Sequence, residues 1–337
     1  MASDPTPIQI SVLNKWISSS TQSWLDQAKK VEYARREEDA NYGADLFITQ
    51  QDREEELELL HCRVRRWMTS KTNPDGIFDW SYEETPNTPN STEECCGISV
   101  IYIISDSSEG HGNSLWPSSR HVSNLLANEQ SCRQVLQPLL EQKQIDTTQK
   151  HPLLGLNFLE LGSGAGVPSW TAMKCGARVV CTDQRVPDRI RCIAECIERN
   201  WRDMQLTERD GDVLQNAEMA RACPYNWGEP IDEITAFLGK DERFDVVVAA
   251  DCCYMPLLQG KLLQSIDMLL SKEGVALVPF ALHGNAKDVD VWGIVDRAKE
   301  IGFCVEVLES KQLSILTIGM DKSRGLVHTV RLTRQKC

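Results

Sequence analysis

Residues 157–168 read NFLELGSGAGVP. An apolar run, Phe158, Leu159 and Leu161, carries one carboxylate, Glu160, and then breaks into three glycines, Gly162, Gly164 and Gly166. A buried strand therefore runs into a backbone that must turn tightly and approach something closely. Pro168 stands where a first helical residue would, with φ preset and no N–H to leave unpaired. A strand, a glycine turn and a helix start, in that order, form the mouth of an α/β nucleotide or nucleoside site.

The spacing narrows the ligand. A dinucleotide fingerprint is GxGxxG, and its third glycine would fall on Val167. The glycines run GxGxG instead, and no GxxxxGK[ST] phosphate cradle is present. The same turn without phosphate specialisation suits S-adenosylmethionine, whose amino-acid end takes close backbone and whose ribose takes an acid. That acid comes on schedule. The next apolar run, Ala177 to Thr182, ends in Asp183, one strand–helix–strand step after Glu160.

Composition sets outer bounds. The chain has 337 residues, 41% of them apolar, enough for a substantial core in one large domain or two smaller ones. No run approaches the ~18 apolar residues of a membrane span. The start, MASDPTPIQI, lacks the basic and apolar regions of a leader, so none is expected. Thirteen cysteines are scattered, with two adjacent pairs and no zinc spacing, which predicts reduced thiols, a cytoplasmic protein (or a nuclear one) and no metal site. A net charge of −13 argues against a nucleic-acid binder and fits a small molecule or a basic protein partner.

Along the chain, residues 1–96 are expected to form a mostly helical extension with a linker. Helix is predicted from Gln9 to Arg36 and again from Asp52 to Met68, where acids precede bases as a helix dipole prefers. Residues 71–94, rich in Pro, Asn, Thr and Ser, are expected to be loop. From 97 to 337 the pattern predicts a second unit. Gly97–Ile104 is a β-branched strand, a helix starts near Pro117, and another runs from about Cys132 to Gln142. Trp116 sits at the loop–helix junction, where an indole can cap a pocket or simply fill the core. After Asn157, strands and helices alternate: strands at 158–161, 178–182, roughly 222–227, 244–250, 275–280, 303–308 and 326–332. Pro224 would confine the third of these to a sheet edge. The expected architecture is α/β, a seven-strand mainly parallel sheet with right-handed crossovers, its last strand antiparallel, as in class I S-adenosylmethionine-dependent methyltransferases.

A second run, ERFDVVVAADCCYMP (242–256), ends its strand at Ala250 and Asp251, with Tyr254 three residues on. Ligands bind at the carboxyl ends of such strands. An acid and a phenol there suit an amine nucleophile. A lysine amine has a pKa near 10.4, so reaching its neutral form at pH 7 costs roughly 4.6 kcal/mol. Asp251 is expected to dock the ammonium, and Tyr254 to offer a π face to the cation. The alternative is an acid capping the next helix and a tyrosine in the core. The [ND]PP[YFW] run typical of base and amide methylation is absent. Cys252 and Cys253, with no histidine beside them, read as small buried residues.

Together these residues resemble methyltransferase family 16, seven-strand protein methyltransferases acting mostly on lysine. The shared features are the Leu-Trp-Pro helix start at Trp116, ELGSGAG, the acid of CTDQ, the Trp227-Gly228 pair and DxxY at Asp251 and Tyr254. The C-terminal half looks most like the nicotinamide N-methyltransferase-like branch, whose characterised members methylate the N-terminal region of translation elongation factor 1A. The resemblance implies a cofactor set of Trp116, Glu160, Gly162, Ser163, Gly164, Gly166, Asp183, Gln184, Trp227 and Ala250, with Asp251 and Tyr254 at the substrate amine. It implies methylation of a lysine or N-terminal amine of a protein, a translation factor among the candidates; a monomer is expected, and charge and hydropathy predict no nucleic-acid or membrane partner. A small-molecule N-methyltransferase and a catalytically silent cofactor-binding module are the alternatives. His283, after the fifth strand, is a candidate substrate contact.

Overall fold

The computed structural model describes residues 6–9, 15–41, 59–79, 97–105, 114–146, 148–207, 219–239, 241–282, 286–314 and 322–334. The main sheet contains β5 (Asn157–Leu161), β6 (Arg178–Asp183), β7 (Ala220–Pro224), β8 (Phe244–Val248), β9 (Leu270–Ala281), β10 (Phe303–Val307), β11 (Lys311–Gln312) and β12 (Leu326–Arg334). Its order is β10-β12-β9-β8-β5-β6-β7, with the two-residue β11 added on β12. Neighbours from β7 to β9 pair in parallel, and β12 runs antiparallel between β9 and β10. This is the expected class I arrangement. Both faces are covered, so β8 is buried at all five positions and shows no alternation. The strand with Pro224 lies at the sheet edge, as its missing N–H requires.

The connecting helices are α5 (Val167–Lys174), α6 (Pro187–Thr207), the single turn α7 (Asp232–Thr235), α8 (Gln259–Leu269) and α9 (Asp288–Glu300). Before the sheet come α2 (Pro117–Ala127), α3 (Glu129–Val135) and α4 (Gln137–Lys143). The single helix expected over 132–142 is two. Pro138 sits in the first turn of α4, where its missing N–H costs nothing. Asn128 caps α3, its Oδ1 accepting from the Ser131 N–H at 2.9 Å.

The N-terminal segment departs from expectation. It contains β1 (Thr6–Gln9), α1 (Ser19–Asn41), β2 (Leu59–Met68) and β3 (Ile77–Asp79). Residues 59–68 are therefore a strand, not the helix that charge order suggests; 52–58 lie outside the described residues. The deciding force is tertiary. β2 pairs antiparallel with β4 (Ser99–Ser105) over seven residues, with Trp67 opposite Val100 and Arg65 opposite Tyr102. Such cross-strand pairs override a helix signal carried by charge order alone. The sheet thus joins both sides of the expected boundary between 96 and 97.

This small sheet docks on α6. The Asn200 side chain accepts from the Ile101 N–H at 2.9 Å and donates to its carbonyl at 2.6 Å, serving the edge of β4 that faces away from β2 as another strand would. Trp16 extends the contact. Its carbonyl accepts from Ala222 N at 2.8 Å and its indole N–H donates to Glu198 at 2.6 Å. Trp16, Trp67, Tyr102, Val179 and Ile193 share one apolar core.

Candidate active site

A cleft of about 250 Å³ opens at the carboxyl ends of β5, β6, β7 and β8. Its floor is the glycine turn. Gly162 and Gly164 have φ of 65° and 53°, and both line the cleft. A Cβ on Gly162 would stand 2.9 Å from Cys252 Sγ and 3.0 Å from Trp227 Cζ2. Only glycine leaves the gap between turn and indole open.

Asp183, at the end of β6, pins the turn from the side. Its Oδ2 accepts from Gly164 N at 2.7 Å and its Oδ1 from Gln184 N at 2.8 Å. Burial raises its pKa, while Arg189, 3.7 Å away, and the two amides oppose that rise. A carboxylate offers about four acceptor directions, so it retains capacity for a diol in the cleft. A gap that a Cβ would close, a flanking indole and an acid with spare acceptors fit a nucleoside carrying an amino-acid end.

The opposite wall holds the expected substrate pair. Asp251 lies three residues past β8, buried, with φ of 52° in the left-handed region that a non-glycine adopts only when held there. Its N–H donates to Pro279 O at 2.8 Å. Its Oδ1 accepts from Ala281 N at 3.0 Å and its Oδ2 from Ser118 N, in the first turn of α2, at 3.3 Å. Two backbone amides thus hold the carboxylate, and the Pro279 carbonyl holds the main chain beneath it. The reading of Asp251 as a helix cap thus has a basis, but the helix is α2 and not the following one. Tyr254 is half-buried at the rim, and burial raises its phenol pKa. Beyond it the rim is apolar and open, with Leu257 95% and Met255 42% exposed.

Of the expected residues, Trp116, Gly162, Ser163, Gly164, Asp183, Gln184, Trp227, Ala250, Asp251 and Tyr254 line this cleft together. Glu160 and Gly166 do not. Glu160 points beneath the turn, where its Oε2 accepts from the Ser169 N–H at 2.9 Å and from the Ser169 hydroxyl at 2.5 Å. It is 0% exposed, its Oε1 has no partner, and burial pushes its pKa up to about 8. Gly166 precedes α5. A Cβ there would stand 2.5 Å from the Trp170 ring, so it makes room for core packing instead. His283 lies outside the described residues.

The cleft also gathers residues that the motifs did not flag: Arg189, Tyr225, Asn226, Lys261 and Cys252 among them. Tyr225 and Asn226 immediately follow β7, so the rule of strand carboxyl ends could have found them. Cys252 and Cys253 are buried, and burial raises both thiols well above the usual range, which fits small packed residues.

The lysine methyltransferase family model matches residues 98–288. The protein N-terminal and lysine N-methyltransferase EFM7 of Gibberella zeae is 30% identical over 167 residues, 47% of this chain and 61% of that protein. Its Schizosaccharomyces pombe namesake is 31% identical over 186 residues, 52% and 67%. The protein-lysine methyltransferase METTL21E of Mus musculus is 26% identical over 178 residues, 52% and 64%. The chain spans 46% to 61% of the length of the first four fungal relatives. Similar solved structures include magnesium protoporphyrin IX methyltransferase from Synechocystis with bound SAH, at TM-score 0.38 and 14% identity over 68% of this chain and 90% of that one. With the family model covering more than half of its residues, the chain belongs to the lysine methyltransferase family.

Proposed function

We propose that this protein transfers a methyl group from S-adenosylmethionine to a lysine side chain or N-terminal amine of a protein substrate. One observation carries the reading: the glycine turn and Asp183 share a single cleft with the backbone-clamped Asp251 and with Tyr254. The open rim at Met255 and Leu257 suits a macromolecular substrate better than an enclosed small one. The names of the fungal and mouse relatives favour the same chemistry. A translation factor is the first substrate to try. We place the protein in the cytoplasm as a monomer; nine described cysteines, Cys62 aside, are unbridged, in keeping with a reducing compartment.

When bound, S-adenosylmethionine supplies an electrophilic methyl on a sulfonium. The turn at Gly162 to Gly164 would hold the amino-acid end and Asp183 with Gln184 the ribose side, and Trp227 would flank the nucleoside. Asp251 docks and aligns the incoming ammonium. Its carboxylate favours the charged amine, so deprotonation rests on burial and the neighbouring positive charge. Among the described residues no histidine lines the cleft, and we assign the departing proton to water. Tyr254 offers its ring to the cation as methylation proceeds.

The test incubates the protein with tritiated S-adenosylmethionine and a cell extract. Label is expected in a protein band. Label confined to the small-molecule fraction would overturn the protein substrate and leave the cofactor intact.

A further inference from the structure

Arg120 is the largest charged side chain fully buried among the described residues, 0% exposed. It sits on α2, one turn past Trp116. Its Nη1 donates to Asp75 Oδ1 at 2.5 Å, and its Nη2 donates to the Ser314 carbonyl. Asp75 Oδ1 also accepts from Ser314 N at 2.8 Å, and the Asp75 carbonyl accepts from the Trp67 indole at 2.9 Å. One guanidinium therefore ties together three segments remote in sequence: the loop before β3, α2, and the stretch after β11. Asn124, one turn further along α2, reinforces the tie by donating to Pro74 O at 2.7 Å and accepting from Ser70 N at 3.1 Å.

The tied helix is a wall of the cleft. Its N-terminal end presents Trp116 and Ser119 to the cavity and gives the Ser118 N–H to Asp251. Arg120 itself does not line the cleft. Burial works against its charge, Asp75 supports it, and the Asp251 carboxylate is among the groups it feels. A buried cation is expensive to hold, and a well-packed apolar side chain would stabilise a helix as well. A forked guanidinium does what such a residue cannot, since it satisfies a carboxylate and a carbonyl in fixed directions at once.

Building on the function proposed above, we propose that Arg120 is a positioning residue. Held by Asp75 and Ser314, it sets α2 so that the Ser118 amide aims the Asp251 carboxylate into the cleft. The N-terminal segment and the segment after β11 thereby belong to the substrate half of the site.

The test needs no identified substrate. S-adenosylhomocysteine and sinefungin, its analogue with an amine near the place of the transferred methyl, are titrated by calorimetry into the wild type, Arg120→Met, Asp75→Asn and Asp251→Asn. The ratio of the two affinities reads how well Asp251 meets a cation; loss of general stability moves both affinities alike. Asp251→Asn is expected to shift the ratio against sinefungin by about tenfold, the scale of one charge-assisted contact. Asp75→Asn and Arg120→Met are expected to shift it in the same direction, with S-adenosylhomocysteine binding little changed. Should Arg120→Met fail to fold, Asp75→Asn carries the test alone. A ratio unmoved by Asp75→Asn and by a folded Arg120→Met overturns the proposal, as does a ratio that Asp251→Asn leaves alone. Absence of S-adenosylhomocysteine binding to the wild type sinks the cofactor reading instead.

Discussion

The two walls of the cleft are built differently. The cofactor wall closes on itself locally: Gly164 reaches Asp183 across 19 residues, and Ser169 reaches Glu160 across nine. The substrate wall is assembled from afar. Ser118 meets Asp251 across 133 residues, Arg120 meets Ser314 across 194, and Ser314 meets Asp75 across 239. The first wall can be written in one strand–turn–helix motif. The second exists only once the whole chain has folded, so its integrity depends on segments that look peripheral in sequence.

That contrast can be broken most forcefully at Trp16. Its indole is buried, bonded to Glu198 and edge-on to Trp201 at a 5.8 Å centroid distance. Trp16→Ala is expected to cost about 3–5 kcal/mol in denaturant unfolding, the usual range for a buried aromatic. A loss below about 1 kcal/mol would mean that the N-terminal segment is an accessory after all.

Glu160 sharpens the cofactor wall. Its folded pKa, about 8, lies above the usual carboxyl value of 4.5, so the native state holds a proton that the unfolded state releases. Its contribution is therefore favourable below about pH 4.5 and lost as pH rises towards 8. Glu160→Gln, which stays neutral, should be the more stable protein at pH 8 by up to about 4 kcal/mol and about equal at pH 4.5. Parallel stability curves for the two proteins from pH 4.5 to 8 would show that Glu160 is ionised in the fold.

Gly162→Val tests the gap that the glycine turn keeps open. Its side chain would collide with Cys252 and Trp227 in a left-handed backbone. S-adenosylhomocysteine affinity should fall about a hundredfold or more, roughly 2.7 kcal/mol. Near-normal affinity would place the ligand elsewhere. The smallest effect belongs to Asn128, whose cap serves only α3. Asn128→Ala should cost about 1 kcal/mol of stability and leave both walls working.

Legibility in the sequence followed the same division. The alternation after Asn157 and the edge position forced by Pro224 were readable because each depends on local pattern or on proline chemistry, and the antiparallel last strand came with the fold class that the strand count matched. The strand at 59–68 was not readable, since its partner lies beyond a polar stretch and its charges mimic a helix dipole. Glu160 was misplaced for a subtler reason. Strand alternation places it beside the turn but does not say whether its side chain faces the ligand or the helix that follows. Arg120 and Asp75 left no signal, because a buried ion pair between distant segments has no spacing rule.

The central claim is that one cleft takes S-adenosylmethionine on its glycine wall and an amine on its Asp251 wall. Calorimetric titration of S-adenosylmethionine into the wild type and into Gly164→Arg tests the first half of it most directly. Saturable one-to-one binding to the wild type, abolished in the variant, is the predicted result. A folded wild type that takes up no S-adenosylmethionine, or a variant that binds as well as the wild type, would contradict the account.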